Sequence, residues 1–159
     1  MTYPFLHIFE ASRYSPAYLR QGVPESVVQA ACVARLRALG AAVDIRDTGA
    51  AKLRGRAYGA LKRRGVKDPR ALLKGFTGAG SVGASDLVFT LPGGRAGFLE
   101  VKAPGRWVEG ARGRLVQDDG PGQPTPEQLE YLERRRLLGA VVGVAWAALD
   151  VDVILSGVA

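Results

Sequence analysis

The stretch Asp86-Leu-Val-Phe-Thr-Leu-Pro-Gly-Gly-Arg-Ala-Gly-Phe-Leu-Glu-Val-Lys102 decides how the chain is read. Leu87 to Thr90 are strand formers, Pro92-Gly-Gly-Arg95 is a turn, and Gly97 to Lys102 returns as a second strand, which predicts a β-hairpin. The strand period of two puts Phe98, Glu100 and Lys102 on one face, and Leu99 and Val101 on the other. A carboxylate and an ammonium on one face of an otherwise apolar strand are costly to bury without a purpose. A symmetric turn of even length sets Val88 against Leu99 and Asp86 against Val101. A bulge or an odd-length loop sets Asp86 directly opposite Glu100 or Lys102. In each register the two acids lie close together.

Carboxylate oxygens held this way suit Mg²⁺, a hard cation that keeps several waters and accepts phosphate oxygens. Such an ion polarises a phosphate and offsets developing charge, and Lys102 would orient the attacking water or neutralise the transition state. The competing reading is an exposed Glu100–Lys102 ion pair, with Asp86 merely opening a strand. Composition narrows the alternatives. With one cysteine, Cys32, and one histidine, His7, neither a disulfide framework nor a Cys/His zinc site can be built. Mechanisms that need a histidine base have only His7 to use.

The net charge of +7 is concentrated. Lys52, Arg54, Arg56, Lys62, Arg63, Arg64, Lys67, Arg70 and Lys74 are opposed within their segment only by Asp68, so that segment carries +8 and the remainder of the chain −1. Interleaved with glycines and Tyr58, this tract is the expected nucleic-acid-binding surface, one that follows a phosphate backbone. A solvated basic face is the plain alternative. No apolar run approaches the roughly 18 residues of a membrane span, and no basic region followed by an apolar one opens the chain, so a cytoplasmic protein without membrane contact is expected.

At 159 residues and 47% hydrophobic content, a single domain is expected over 24–159, with a basic insertion at 52–76 and an N-terminal extension, 1–23, that packs over the core or a partner subunit. A helix should run from Pro24 to Gly40 with the stripe Val28, Cys32, Leu36 and Leu39, followed by a strand from Ala42 to Arg46. Helical turns are expected near 57–64 and 69–74, and a long loop over 103–124. A second helix should run from its cap, Thr125, to Gly139, with closing strands at Ala140 to Trp146 and Val151 to Leu155. Two further polar residues are site candidates. Glu25 lies on the line of the first helix's stripe and would face inward, although Glu in a first turn also suits the helix dipole. Gln128 stands three residues after Thr125, the spacing of a capping box. Gly78-x-Gly80-x-x-Gly83 matches the dinucleotide fingerprint in letters but precedes a strand, not a helix, and no P-loop is present, so no nucleotide cofactor is expected.

Taken in order, Glu25-Ser-Val-Val-Gln, Gly83-Ala-Ser-Asp86-Leu, Phe98-Leu-Glu100-Val-Lys102, Thr125-Pro-Glu-Gln128 and Gly139-Ala-Val-Val-Gly-Val-Ala resemble the VRR-NUC (virus-type replication-repair nuclease) family of the PD-(D/E)xK superfamily. The resemblance implies an α/β fold, a restriction-endonuclease-like mixed central sheet flanked by helices. It makes Asp86 and Glu100 the ligands of Mg²⁺ or Mn²⁺, with Val101 beside them, and Lys102 the catalytic lysine. Glu25 would complete the metal environment and Gln128 would assist from the second helix. Ser85 stands where the superfamily name has proline. Stand-alone members look like homodimers that cut Holliday junctions or other branched DNA, which implies DNA as substrate and a second copy of the chain as partner. A module that binds nucleic acid without cutting it, and cleavage of RNA in place of DNA, are the competing expectations.

Overall fold

The computed structural model describes residues 3–7, 9–46, 59–67 and 83–157. Its centre is a four-stranded mixed sheet in the order β1-β2-β3-β6, formed by β1 (Ala42–Ile45), β2 (Leu87–Thr90), β3 (Ala96–Val101) and β6 (Val141–Ala145). The first three strands are antiparallel neighbours and β6 lies parallel to β3. Helices α1 (Pro16–Arg20), α2 (Glu25–Ala38), α3 (Pro126–Leu137) and α4 (Ala148–Ser156) complete the layers.

Strand β3 is buried on both faces, and its alternation sorts the molecule into two cores. Leu99 and Val101 pack with Val28, Cys32 and Leu36 of α2 and with Val151 and Ile154 of α4. Phe98 packs with Tyr131 and Leu132 of α3, together with Val142, Val144 and Trp146. Glu100, between Phe98 and Lys102, therefore projects into the layer that α3 covers. The N-terminal segment closes that second core: Tyr14 and Leu19 are buried there, and the Tyr14 hydroxyl donates to Asp150 Oδ2 at 2.8 Å. Asp150, fully buried, also accepts from the N–H groups of Trp146 (2.8 Å) and Ala147 (3.1 Å), which caps α4.

Two expectations from the sequence need correction, and one choice that the sequence left open, the hairpin register, is decided. The β2–β3 register pairs Leu87 with Leu99 and Val88 with Phe98, so the loop is odd. Leu91 and Arg95 close a three-residue turn, Pro92-Gly93-Gly94, in which both glycines hold φ near +90° (94° and 89°), a conformation other residues rarely adopt. Residues 103–124 are not an irregular loop. They contain an antiparallel hairpin of β4 (Arg106–Glu109) and β5 (Leu115–Asp119), masked in the sequence because its mostly exposed faces carry charge and its register shifts at Arg106/Trp107. Val151 to Leu155 is helical, within α4: a short apolar run has no periodicity that separates buried strand from buried helix, and the Asp150 cap decides it.

A helical turn occupies 59–63 and Arg64 continues it as a turn, while 57–58 and the expected turn near 69–74 lie outside the described residues. No helix among the described residues is long and apolar enough to cross a membrane. Gly97 tests the β2–β3 contact, since a methyl group there would overlap the Phe89 ring. Gly97→Ala should lower stability by about 1–3 kcal/mol in denaturant unfolding, and Phe89→Leu in the same chain should recover part of the loss. Equal stabilities of the parent and Gly97→Ala would show that β2 and β3 are not so closely packed.

Candidate active site

The odd turn carries through to Asp86, which precedes β2 and by the same register lies across from Glu100. Its backbone carbonyl accepts from the Arg46 N–H at 2.8 Å, which extends the β1–β2 pairing, and its carboxylate Oδ2 accepts from the Val101 N–H at 2.8 Å. Asp86 is thus held from both sides by main-chain donors. Within a strand the N–H and C=O of one residue lie on the same edge, so the Val101 carbonyl faces the side on which Asp86 sits.

Glu100 is fully buried. Its Oε1 accepts from Lys102 Nζ at 2.6 Å and from Gln128 Nε2, whereas its Oε2 is buried without a hydrogen-bond partner. Burial first and the neighbouring Asp86 charge second push the Glu100 carboxyl up to about 8, against the downward pull of Lys102. Desolvation outweighs the ion pair because Lys102 engages only one of the two oxygens. The stem of Lys102 runs against Gly122, where a Cβ would lie 3.4 Å from Lys102 Cβ and Cδ.

Gln128 performs both of the roles open to it in the sequence. Its Oε1 accepts from the Thr125 N–H at 2.8 Å and the Thr125 hydroxyl accepts from the Gln128 N–H at 3.3 Å, forming the capping box. The remaining group of the same amide, Nε2, reaches Glu100. Gly83 lets the Asp86 loop approach this helix start, because a Cβ there would meet the Glu127 carbonyl oxygen at 2.6 Å. Nothing in the sequence signalled that contact, nor the one between Gly122 and Lys102, since both join segments far apart in the chain. Ser85 is buried and donates to the Leu87 carbonyl at 3.3 Å, so it needs no solvent.

Glu25 does not point inward as its place on the stripe suggested. It is exposed at the first turn of α2, and no hydrogen bond or ion pair among the described residues joins it to Asp86, Glu100 or Lys102. Of the basic tract, Lys62, Arg63, Arg64 and Lys67 are exposed, while Lys52, Arg54, Arg56, Arg70 and Lys74 lie outside the described residues.

The donor set fits a hard divalent ion. Among the described residues no three His, Cys, Asp or Glu side chains form a metal cluster, so a cation here would rest on Asp86, the unpartnered Oε2 of Glu100 and the Val101 carbonyl. Such a site leaves coordination positions for water and phosphate, as Mg²⁺ prefers.

No family model and no curated protein matches the chain. The chain is similar to a solved structure described as a VRR_NUC domain, with 25% sequence identity over 83% of this chain and 94% of that one and a TM-score of 0.45.

Two measurements test this geometry. Thr125→Ala should cost about 1 kcal/mol of stability through the lost cap and leave Glu100 with its amide partner. Gln128→Ala should lose both, so only the second should alter the Glu100 titration followed by ¹³C NMR; identical titrations in the two variants would remove Gln128 from the site. The pH dependence follows from the raised Glu100 pKa. The folded protein keeps a proton that the unfolded chain releases above about pH 4.5, so this group's contribution to stability falls as pH rises from there to about 8. With chelator present, the Tm of Glu100→Gln relative to the parent should climb between pH 5 and pH 8, and parallel curves would mean that the carboxyl ionises freely.

Proposed function

We propose that this chain is a divalent-cation-dependent nuclease that hydrolyses phosphodiester bonds in DNA. The single observation that carries this reading is the half-satisfied carboxylate of Glu100: fully buried, one oxygen shared between Lys102 and Gln128, the other without a partner beside Asp86. A buried carboxyl oxygen without a partner is expensive in a protein interior, and a hard cation held by Glu100 together with Asp86 would offset that cost. Mg²⁺ bound by Asp86, Glu100 and the Val101 carbonyl would polarise the scissile phosphate and lower the pKa of the attacking water.

The chain's own residues supply the rest. The Val101 N–H fixes the Asp86 carboxylate, and Gln128 fixes Glu100 from a helix whose start is pinned by the capping box. Lys102 Nζ, with Glu100 as its anchor, is a positive charge poised to orient water or offset the charge that builds on the phosphate. The exposed cations Lys62, Arg63, Arg64 and Lys67, with the rest of the 52–76 tract, would hold the phosphate backbone. Glu25, exposed at the start of α2, would join the cation's outer surroundings through water.

The substrate we favour is branched DNA, such as a four-way junction, cut by a homodimer. A two-fold pair of chains offers two active sites, which symmetric incision of a junction requires. The support is the basic tract and the resemblance of the motifs, and a flap or RNA substrate would need no dimer.

The test is a panel of linear, nicked, flap, four-way and single-stranded DNA together with RNA, incubated with Mg²⁺, Mn²⁺ or chelator. Asp86→Ala, Glu100→Ala and Lys102→Ala should each lower cleavage at least about a hundredfold while the affinity for the same DNA, read by gel shift, persists. Cleavage that survives chelation or all three substitutions would defeat the proposal. Binding without cutting by the unaltered protein would leave a nucleic-acid-binding module.

A further inference from the structure

Across the 121–123 segment from Lys102 lies a cavity of about 220 Å³, between the N-terminal segment and the β4–β5 hairpin. Its walls are aromatic. Phe9 stacks on Trp107 with ring centroids 6.1 Å apart, and meets Trp146 edge-on at 5.7 Å, as does His7. Gln117 and Gln123 complete the lining, and among the described residues no Asp, Glu, Lys or Arg belongs to it. His7 Nε2 is buried without a hydrogen-bond partner, 3.9 Å from Asp150 Oδ1.

We propose that this cavity receives one unpaired nucleobase of the DNA, adjacent to the nucleotide held at the catalytic site. Three features select that occupant. The volume is below the roughly 300–1,000 Å³ of pockets for larger organic ligands and matches one flat ring system. The absence of charged side chains disfavours a phosphate, whereas aromatic faces stack on any base regardless of sequence. Gln117 and Gln123 each carry a donor and an acceptor, the complement of a base's Watson–Crick edge, which is exposed only when the base is unpaired.

The link to catalysis is short. The Lys102 N–H donates to the Ala145 carbonyl at 2.9 Å, and the next residue is the cavity wall Trp146. The Trp146 indole N–H donates to the Gly122 carbonyl at 2.8 Å, and Gly122 lies against the Lys102 stem. A strand whose phosphate lies at Lys102 therefore has the aromatic pocket directly behind that segment. The position of the pocket relative to the scissile bond rests on the nuclease reading, but its affinity for an unpaired base does not.

The experiment uses the full chain and a flap and a four-way junction in which unpaired or junction-flanking nucleotides are replaced one at a time by abasic sites. Binding is read in chelator and cleavage in Mg²⁺. At one position, base removal should weaken binding roughly 5- to 150-fold. Trp107→Ala should impose a similar loss on the intact DNA and none further on the abasic one, while Trp107→Phe stays close to the parent. In the unaltered protein, 5-iododeoxyuridine at that position should photo-crosslink to Trp107 or to residues 5–11. Abasic effects below twofold at every position, or crosslinks confined to residues 52–76, would overturn the pocket even if the DNA is cut. A base-specific loss without any cutting would keep the pocket and remove the nuclease.

Discussion

The burial of one carboxylate governs this structure. Glu100 is the second-last residue of β3, a strand covered on both faces, where an ionised side chain is stable only with partners arranged before it arrives. Lys102 comes from the same face of the same strand and Gln128 from the first turn of α3. Both donate to a single oxygen, so the arrangement is complete on one side and open on the other. Asp86 lies across from Glu100 in the register, and its charge acts on the same carboxyl. Burial first, and the repulsion from Asp86 second, push the Glu100 carboxyl up to about 8, and that repulsion is the field that would favour a divalent cation beside the two acids.

Position follows from register. A three-residue turn at 92–94 sets Asp86 across from Glu100, where an even turn would have set it across from Val101. The change is one residue, and because strand side chains alternate it decides whether both acids address one layer or opposite layers. The Val101 N–H then takes the Asp86 carboxylate as its acceptor. β6 supplies the parallel neighbour on the other edge of β3, with Val101 beside Ala145, and the chain leaves that strand directly into Trp146. The face of Glu100, the cap of α4 and the aromatic wall are thereby fixed to one pair of strands.

How much of this was legible in the sequence depended on periodicity. The β2–β3 hairpin, α2 with its Val28–Cys32–Leu36 stripe, and the Thr125-capped α3 all carried strong local signals, and all are present. The juxtaposition of Asp86 and Glu100 was readable within two registers, but the choice between them lay in the φ > 0 preference of two adjacent glycines. The β4–β5 hairpin was hidden because its strands bury little and bulge at Trp107, so no alternation marks them. α4 was misread as a strand because Val151 to Leu155 is too short for its period to speak. Glu25 shows the limit of stripe arguments: at the first residue of a helix, the line of the stripe already leaves the core, and the side chain is exposed.

A second fully buried acid shows why the hydrogen-bond accounting, not burial itself, separates chemistry from architecture. Asp150 is as inaccessible as Glu100, yet it accepts from two backbone N–H groups and the Tyr14 hydroxyl, all neutral donors in fixed positions. Its charge in turn helps to hold the Tyr14 phenol well above its usual range, after burial itself, so that hydroxyl remains a donor at any physiological pH. Asp150 thus fastens the N-terminal segment and the start of α4 to Trp146, and asks nothing of a ligand. Glu100 instead has a charged partner on one oxygen and none on the other. Two acids that look alike in composition and burial therefore differ in their surroundings: Asp150 has donors on both oxygens beside the aromatic wall, and Glu100 has donors on one oxygen alone.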